Sequence, residues 1–251
     1  MNPFHFLLGL IRAIILIVTL TFWIFGYLFF SLWLFKNTNE RAFRLRRAWV
    51  LFAIKVCGIK FEAEGKIHHE SALYVCNHRS FCDPLILIKY LDAYVIAKAE
   101  VSGYPLIHTG AKLTGVIYVK RDNKDSRLAV RKAYVDTIKS GQNVLVYPEG
   151  TTNPFKTLLE YRPGTFLEAA RHGFPIVPVV LEYKDQKDIW FNRGLFSQFF
   201  RQFGRWRTYA KLSIGPVFEG TDGIELRDQV QEWSQDKVNQ MHKGWNSVFS
   251  D

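Results

Sequence analysis

The chain begins with a long stretch in which apolar side chains follow one another without polar spacing. Residues 13–35, AIILIVTLTFWIFGYLFFSLWLF, contain no charged side chain over 23 positions. About 20 apolar residues allow a helix to cross the hydrocarbon core of a bilayer, and a buried helix of a soluble protein is rarely apolar on all sides over such a length. A cleaved signal peptide would have a shorter apolar run and a small-residue cleavage site. The pattern therefore predicts a membrane-embedded helical segment, either spanning or re-entrant.

The segment that follows is basic and amphipathic. Residues 36–60 carry seven Lys and Arg side chains and one acid, Glu40, for a net charge of +6. Arginines alternate there with apolar residues that include Phe43, Trp49, Phe52 and Val56, a composition typical of helices at an anionic lipid surface. By the positive-inside rule the rest of the chain is expected in the cytoplasm, at the inner membrane if the source is bacterial.

Beyond about residue 61, short apolar runs alternate with helical periodicity. Strands are expected at 72–76, 93–98, 115–121, 143–147, 175–183 and 210–214, and helices at 126–140, 164–173 and 224–245. Strands alternating with helices indicate an α/β domain with a mainly parallel sheet flanked by helices. We therefore predict two units, residues 1–60 with the membrane segment and basic helix, and residues 61–251 with the α/β domain.

Polar clusters follow three of these strands. NHRSFCD follows the strand at 72–76, KRD follows the strand portion at 116–119, and PEGTTN follows the strand at 143–147. Ligand sites of parallel α/β sheets lie beyond the carboxyl ends of the strands. The three loops are therefore expected to form one cleft.

Overall composition leaves two classes of polyanionic partner. The net charge is +10 and 16% of residues are aromatic, which suits nucleic acid or an anionic membrane. The stretch 190–211, WFNRGLFSQFFRQFGRWRTYAK, has five basic residues and no acid, and its phenylalanines (Phe196, Phe199, Phe200, Phe203) suit a surface helix against lipid. With the apolar segment in the same chain, a membrane is favoured over nucleic acid. Three cysteines without a CxxC pair argue against a disulfide scaffold.

The densest polar cluster, YVCNHRSFCDP at 74–84, admits three chemical interpretations. Cys76, His78, Cys82 and Asp83 are potential zinc ligands, but their spacing matches no common zinc motif. Cys82 could be a nucleophile with His78 as its base. Alternatively His78 is a general base for a substrate hydroxyl and Asp83 orients its imidazole. The cluster alone does not decide between this third role and a purely structural one.

Four motifs in order resemble a known family. They are N-H-x4-D in NHRSFCD, G-x5-R in GVIYVKR, YPEGT, and the proline-centred strand IVPVV, spread over residues 77–180. Together they are similar to the motifs of the glycerolipid acyltransferases typified by bacterial 1-acyl-sn-glycerol-3-phosphate acyltransferase. The resemblance covers about two-fifths of the chain.

The resemblance implies a mechanism and a set of roles. His78 would deprotonate the free hydroxyl of a lysophospholipid, Asp83 would orient His78, and the hydroxyl oxygen would attack the thioester of acyl-CoA or acyl-carrier protein directly. Arg121 would hold the acceptor's phosphate. Glu149 and Gly150 would shape the acceptor site, Thr151 would assist anion binding, and Pro178 would help shape the acyl-donor side. No cofactor and no metal are implied.

One position departs from the family pattern. Bacterial members that act on lysophosphatidic acid usually have arginine after P-E-G-T, whereas this chain has Thr152 followed by Asn153. Arg162 could replace the missing charge. The expected activity is acyl transfer to 1-acyl-sn-glycerol-3-phosphate, giving phosphatidic acid. The alternatives are an acyltransferase for a head-grouped lysophospholipid or an aminolipid, or a non-catalytic membrane lipid-binding protein.

Overall fold

The computed structural model describes residues 2–34, 38–68, 70–98, 108–110, 115–119, 124–192, 194–243 and 245. This part of the chain forms seven helices longer than one turn: α1 Pro3–Trp33, α2 Asn39–Val56, α3 Asp83–Ile88, α4 Lys124–Lys139, α5 Gly164–His172, α6 Leu195–Phe203 and α7 Gly223–Lys243. The described strands are β1 Ile59–Glu64, β2 Leu73–Cys76, β3 Ala93–Lys98, β4 Val116–Val119, β5 Asn143–Val146, β6 Ile176–Tyr183 and β7 Thr208–Ile214. A short 3-10 turn, Gln186–Asp188, lies between β6 and α6.

The strands form one sheet in the order β1-β7-β6-β2-β5-β3-β4. Every neighbouring pair is parallel except β6 and β7, which are antiparallel. The predicted α/β class with a mainly parallel sheet is thus confirmed. Since β2 lies between β5 and β6, the loop after β2 is flanked on both sides by the ends of other strands.

Helices cover both faces of the sheet. On one face α2, α3 and α6 pack against the side chains of Tyr74, Cys76 and Leu145, and Leu16 of α1 reaches the same cluster. On the other face α4, α5 and α7 pack against Leu73 and Val146. The strand β2 is buried along its whole length because both of its faces are covered.

Two elements were absent from the sequence interpretation. The edge strand β1 exposes Lys60, Glu62 and Glu64 and therefore lacks the apolar run typical of a buried strand. The helix α3 has only six residues, too few for a helical period to be recognised. The predicted boundary between residues 60 and 61 falls inside β1 and remains a prediction.

The apolar helix α1 packs along the domain on one side. Phe6 stacks on Phe200 of α6 with ring centroids 5.1 Å apart, and a Cβ at Gly9 would come within 2.7 Å of the Phe200 ring. Further along, the Trp49 indole donates to the Thr19 hydroxyl at 3.4 Å, which joins α1 to α2. The opposite side of α1 is exposed and apolar. Among the described helices, α1 is long and apolar enough to cross a membrane.

A buried arginine fixes α1 to the domain. The Arg12 guanidinium donates to the carbonyls of Phe203, Arg205 and Trp206, at 2.8, 2.5 and 3.2 Å. These carbonyls lie at the end of α6, where the helix dipole favours a cation. A charge inside an otherwise apolar helix is therefore accounted for by this cap.

Candidate active site

The N-H-x4-D motif forms a loop of residues 77–83 that leaves the end of β2 and turns directly into α3. Asp83 is the first residue of α3 and is buried. At the start of the loop the Asn77 side chain accepts from the backbone N–H of Leu181 and donates to its carbonyl, at 2.8 and 3.0 Å. These two bonds anchor the loop to the neighbouring strand β6 at the residue that precedes His78.

His78 and Asp83 are in direct contact, as the sequence predicted. Nδ1 of His78 lies 2.8 Å from Oδ2 of Asp83. The same carboxylate accepts from the backbone N–H groups of Arg79 and Ser80 at 2.7 and 2.8 Å, and from the Tyr183 hydroxyl at 2.7 Å. Because all these other partners donate to Asp83, we assign Nδ1 of His78 as the donor in this contact too. The opposite nitrogen, Nε2, is left with a lone pair.

The His78 ring is partly exposed at the surface of the domain. Its side chain is 21% exposed, whereas the Asp83 side chain is fully buried. The ring stacks on Tyr147 with centroids 4.3 Å apart and an interplanar angle of 28°. In the described part of the chain no group bonds to Nε2. A fixed ring with a partly exposed nitrogen lone pair can accept a proton from a hydroxyl of a bound molecule.

Glu149, in the P-E-G-T loop of residues 148–153, holds the backbone of the loop of residues 77–83. Its Oε1 accepts from the backbone N–H of His78 at 2.9 Å, and its Oε2 accepts from Asn153 Nδ2 and the backbone N–H of Leu159 at 2.9 and 3.0 Å. Burial raises the pKa of Glu149, and these donors act against that shift. In the described part of the chain the Glu149 carboxylate therefore bonds to the loop of residues 77–83 and to the segment 153–159.

Asn153 is a site residue that sequence reasoning missed. It is fully buried, and its backbone N–H donates to the His78 carbonyl at 2.8 Å. Its side chain donates to Glu149 and to the Thr157 carbonyl and accepts from the backbone N–H of Phe155. The only sequence signal was its position after P-E-G-T-T. Its role is to join the two loops.

A second buried network supports the same loop from β6. Arg79 is fully buried, and its Nε donates to Oε1 of Glu182 at 2.7 Å. Arg79 also donates to the carbonyls of Asn153 and Phe155 at 2.8 and 2.6 Å. The other Glu182 oxygen lies 3.2 Å from Nε2 of His242 in α7. The sequence interpretation did not include Glu182, whose partners are far away along the chain.

The cysteines of the motif belong to the core. Cys76 is the buried last residue of β2. Cys82 contacts the Tyr183 hydroxyl at 3.1 Å, and burial raises the pKa of its thiol to about 12, so that it stays protonated near neutral pH. A neutral buried thiol is a poor nucleophile. Among the described residues no three His, Cys, Asp or Glu side chains form a candidate metal group. The general-base interpretation therefore fits this geometry best.

The remaining predicted site residues are distributed unevenly. Gly150 is buried at φ +77°, and a Cβ there would come within 2.7 Å of Arg162, so the Arg162 guanidinium lies directly over the P-E-G-T loop. Thr151 is exposed on that loop. Pro178 lies inside β6 next to Val75, with its ring beside Gly215 on the sheet face covered by α7. The structure does not bring Pro178 into the described contacts of His78.

Arg121 lies outside the described residues. It follows β4, the edge strand of the sheet, and β5 and β3 separate β4 from β2. Three strand spacings amount to about 14 Å. The loops after β2 and β5 are adjacent, as predicted, whereas β4 itself lies at this larger lateral distance from β2.

Comparison with known proteins agrees with this class of site. The family model described as Acyltransferase matches residues 58–182. The chain is 28% identical to a lyso-ornithine lipid O-acyltransferase of Pseudomonas aeruginosa over 56% of this chain and 54% of that protein. It is 27% identical to the lysophospholipid acyltransferase LPEAT2 of Arabidopsis thaliana over 84% of this chain and 41% of that protein. The chain thus spans about half the length of these curated relatives.

Two further similarities cover more of the partner. The chain is 24% identical to the 1-acyl-sn-glycerol-3-phosphate acyltransferase of Neisseria meningitidis, over 78% of this chain and 80% of that protein. The crystal structure of the 1-acyl-sn-glycerophosphate acyltransferase PlsC from Thermotoga maritima superposes with a TM-score of 0.71 at 20% identity, covering 95% of this chain and 98% of that chain. At that identity the likeness establishes the fold.

The fold and the His–Asp site define an α/β acyltransferase domain. Residues 58–182 belong to the acyltransferase family of that model, and the relatives of the chain include proteins named 1-acyl-sn-glycerol-3-phosphate acyltransferase and lysophospholipid acyltransferase.

Proposed function

We propose that this protein transfers a fatty acyl group from acyl-CoA or acyl-carrier protein to the free hydroxyl of a lysophospholipid, with His78 as general base. The observation that carries the proposal is the imidazole held by the buried Asp83 at 2.8 Å, with its second nitrogen toward the partly exposed side. Family membership supports the same reaction. No cofactor is needed for it.

The proposed step is a direct transfer. Nε2 of His78 takes the proton of the acceptor hydroxyl while its oxygen attacks the thioester carbonyl carbon. The ester C–O bond forms, the C–S bond breaks, and the imidazolium returns the proton to the leaving thiolate. Asp83 stabilises the imidazolium that exists between these proton transfers, as a buried carboxylate beside Nδ1 does in other His–Asp pairs. No acyl-enzyme is formed.

The acceptor proposed first is 1-acyl-sn-glycerol-3-phosphate, whose product is phosphatidic acid. Arg162 over Gly150 supplies a guanidinium beside the P-E-G-T loop, and a guanidinium suits a phosphate. Arg121, Thr151 and Pro178 keep their proposed roles in binding the phosphate and the acyl donor. Thr152 in place of the usual arginine favours a second candidate, a head-grouped lysophospholipid or an aminolipid such as the substrate named for the Pseudomonas relative.

An acyl-transfer assay separates these candidates. The purified full chain is incubated with labelled acyl-CoA, or with acyl-carrier protein, and equal amounts of lysophosphatidic acid, lysophosphatidylethanolamine and lyso-ornithine lipid in vesicles. We expect label in one or more diacyl products and the highest kcat/KM for lysophosphatidic acid. Transfer to none of the acceptors, or transfer that survives His78→Ala, would refute the proposed reaction. A non-catalytic lipid-binding role would then be favoured.

The proposal places the domain at the cytoplasmic surface of a membrane, with α1 lying along it. The contacts of Phe6, Gly9, Arg12 and Thr19 tie several turns of α1 to α6 and α2. A helix held in this way has one side on protein and the other available to acyl chains. Protease accessibility of tags at the two ends of the chain distinguishes insertion from one side, with both tags cleaved together, from a spanning helix.

A further inference from the structure

The helix α6 buries two polar side chains and exposes an aromatic one. Gln198 and Gln202 are fully buried beside Phe203, and Leu195 and Phe199 pack against the same core. On the outward side Phe196 is 71% exposed, and Trp206, just beyond the helix, is 62% exposed. The sequence predicted four phenylalanines against lipid. Instead Phe203 lies in the core and Phe199 packs against the core, because both side chains project from the inward side of α6.

The buried glutamines have defined partners. Gln198 Nε2 donates to the carbonyl of Ile189 at 2.7 Å. Oε1 of Gln202 accepts from the Trp190 indole N–H and from the Ser80 hydroxyl, and Nε2 lies 3.5 Å from the Cys82 sulfur. Ser80 and Cys82 belong to the loop that carries His78. The inward side of α6 is therefore bonded to the catalytic loop.

The outward side of α6 continues the apolar side of α1. Phe6, itself half exposed, stacks on Phe200, and the backbone of α1 at His5 approaches Gly204 so closely that a Cβ there would lie 2.6 Å from the His5 carbonyl oxygen. Arg12 caps the same end of α6. The exposed apolar side chains of α1 thus meet α6 at the contact of Phe6 with Phe200.

Charge near this surface identifies its partner. Residues 190–211 contain no acid. Arg205 is used internally, in ion pairs with Asp185 and Asp188. Arg207 lies over the Trp206 ring at 5.6 Å and adds a positive charge beside the exposed indole. Exposed aromatic rings next to arginine are typical of the lipid interface, where the rings sit at headgroup level and the cations meet anionic headgroups.

We propose that the outer face of α6, formed by Phe196 and extended by Trp206, docks on an anionic phospholipid bilayer together with α1. The inward bonds of Gln202 then fix the height of the His78 loop relative to the lipid surface. This surface goes beyond the proposed acyl transfer, and its test does not depend on that activity.

Spin labelling tests the docking directly. Native Cys57, Cys76 and Cys82 are buried, so a label on an introduced cysteine is selective. Phe196→Cys and, as a matched control, Leu128→Cys in the exposed part of α4 are labelled in the full chain bound to vesicles of phosphatidylcholine and phosphatidylglycerol. Ser197→Cys, which keeps Phe196, is a second probe on the same exposed side.

Collisions with oxygen and with a water-soluble nickel complex report the position of each label. We expect the labels at 196 and 197 to collide more with oxygen and less with nickel when vesicles are present, while the label at 128 shows no change. Nickel accessibility at 196 equal to that at 128 would overturn the proposal. So would protection from both reagents with dipolar broadening, because that result would place a second copy of the chain on this face.

Removing the two rings tests the coupling to bilayers. Phe196→Ser with Trp206→Ser should lower vesicle binding at a given lipid concentration about tenfold, equivalent to about 1.4 kcal/mol, relative to Leu128→Ser with Ile224→Ser. Equal binding of the two double variants would contradict the assignment.

Discussion

Asp83 and Glu149 are two buried carboxylates on adjacent loops, and they show how the same chemical group serves two purposes. Asp83 contacts the imidazole ring of His78 through Oδ2, and backbone N–H groups and the Tyr183 hydroxyl complete its shell. Glu149 contacts the backbone N–H of the same histidine and ties it to Asn153 and Leu159. One carboxylate bonds the imidazole ring of His78, and the other bonds its backbone.

The comparison predicts different kinetic signatures. Loss of the charge on Asp83 should affect the proton transfer, whereas loss of the charge on Glu149 should affect folding and loop position. The two contributions separate experimentally because proton transfer appears in kcat and loop support appears in the free energy of unfolding. Arg162, outside both networks, is expected to affect acceptor binding.

The largest effect is expected for Asp83→Asn. The amide carries no negative charge and stabilises the imidazolium less, so kcat should fall by about 10²–10⁴-fold. Initial rates at saturating acceptor, measured with labelled acyl-CoA, check this expectation. A kcat close to that of the unchanged protein would show that the Asp83 contact does not contribute to the reaction.

Glu149→Gln should lower kcat less than Asp83→Asn does, but it should lower the free energy of unfolding more. One oxygen can still accept from the His78 N–H, but the new amide N–H₂ faces the donors of Asn153 and Leu159. Leaving such buried donors unsatisfied costs about 1–3 kcal/mol, which equilibrium unfolding in denaturant should report. If Glu149→Gln instead lost as much kcat as Asp83→Asn with unchanged stability, the division of roles between the carboxylates would be wrong.

Arg162→Ala is expected to have the smallest effect, confined to the acceptor. Arg162 is exposed, so its contribution should be about 1 kcal/mol, a roughly fivefold rise in KM for lysophosphatidic acid with kcat unchanged. Arg171→Ala, an exposed arginine in the last turn of α5, is the matched control. The same KM for both variants would remove Arg162 from the acceptor site.

The sequence predicted the parts of the fold whose side chains follow a regular pattern. The apolar runs of β2, β5 and β6 and the periodic helices α4, α5 and α7 were located from it. The strand β1 was missed because its charged edge positions hide the alternation, and the antiparallel pairing of β7 with β6 was not predicted because side-chain pattern does not encode strand direction.

The candidate site was predictable where its residues are close in sequence. The five-residue separation of His78 and Asp83 allowed the contact to be expected. Asn153, Glu182 and Gln202 were not expected because each is a polar residue in an unremarkable position whose partner in the 77–83 loop lies 75 to 122 residues away. These three residues reach the loop of residues 77–83 because β6, α6 and the P-E-G-T loop pack around the end of β2.

His78→Asn is the sharpest test of His78 as the base. The asparagine amide nitrogen takes the place of Nδ1 and can still donate to Asp83, so the loop keeps its contacts, but the side chain cannot accept the hydroxyl proton at neutral pH. The measurement is the initial rate of labelled acyl transfer to the preferred lysolipid, with the unfolding midpoint as a control for folding. We expect the rate to fall by about 10²–10⁴-fold at an unchanged midpoint, and a rate equal to that of the unchanged protein would show that His78 is not the base.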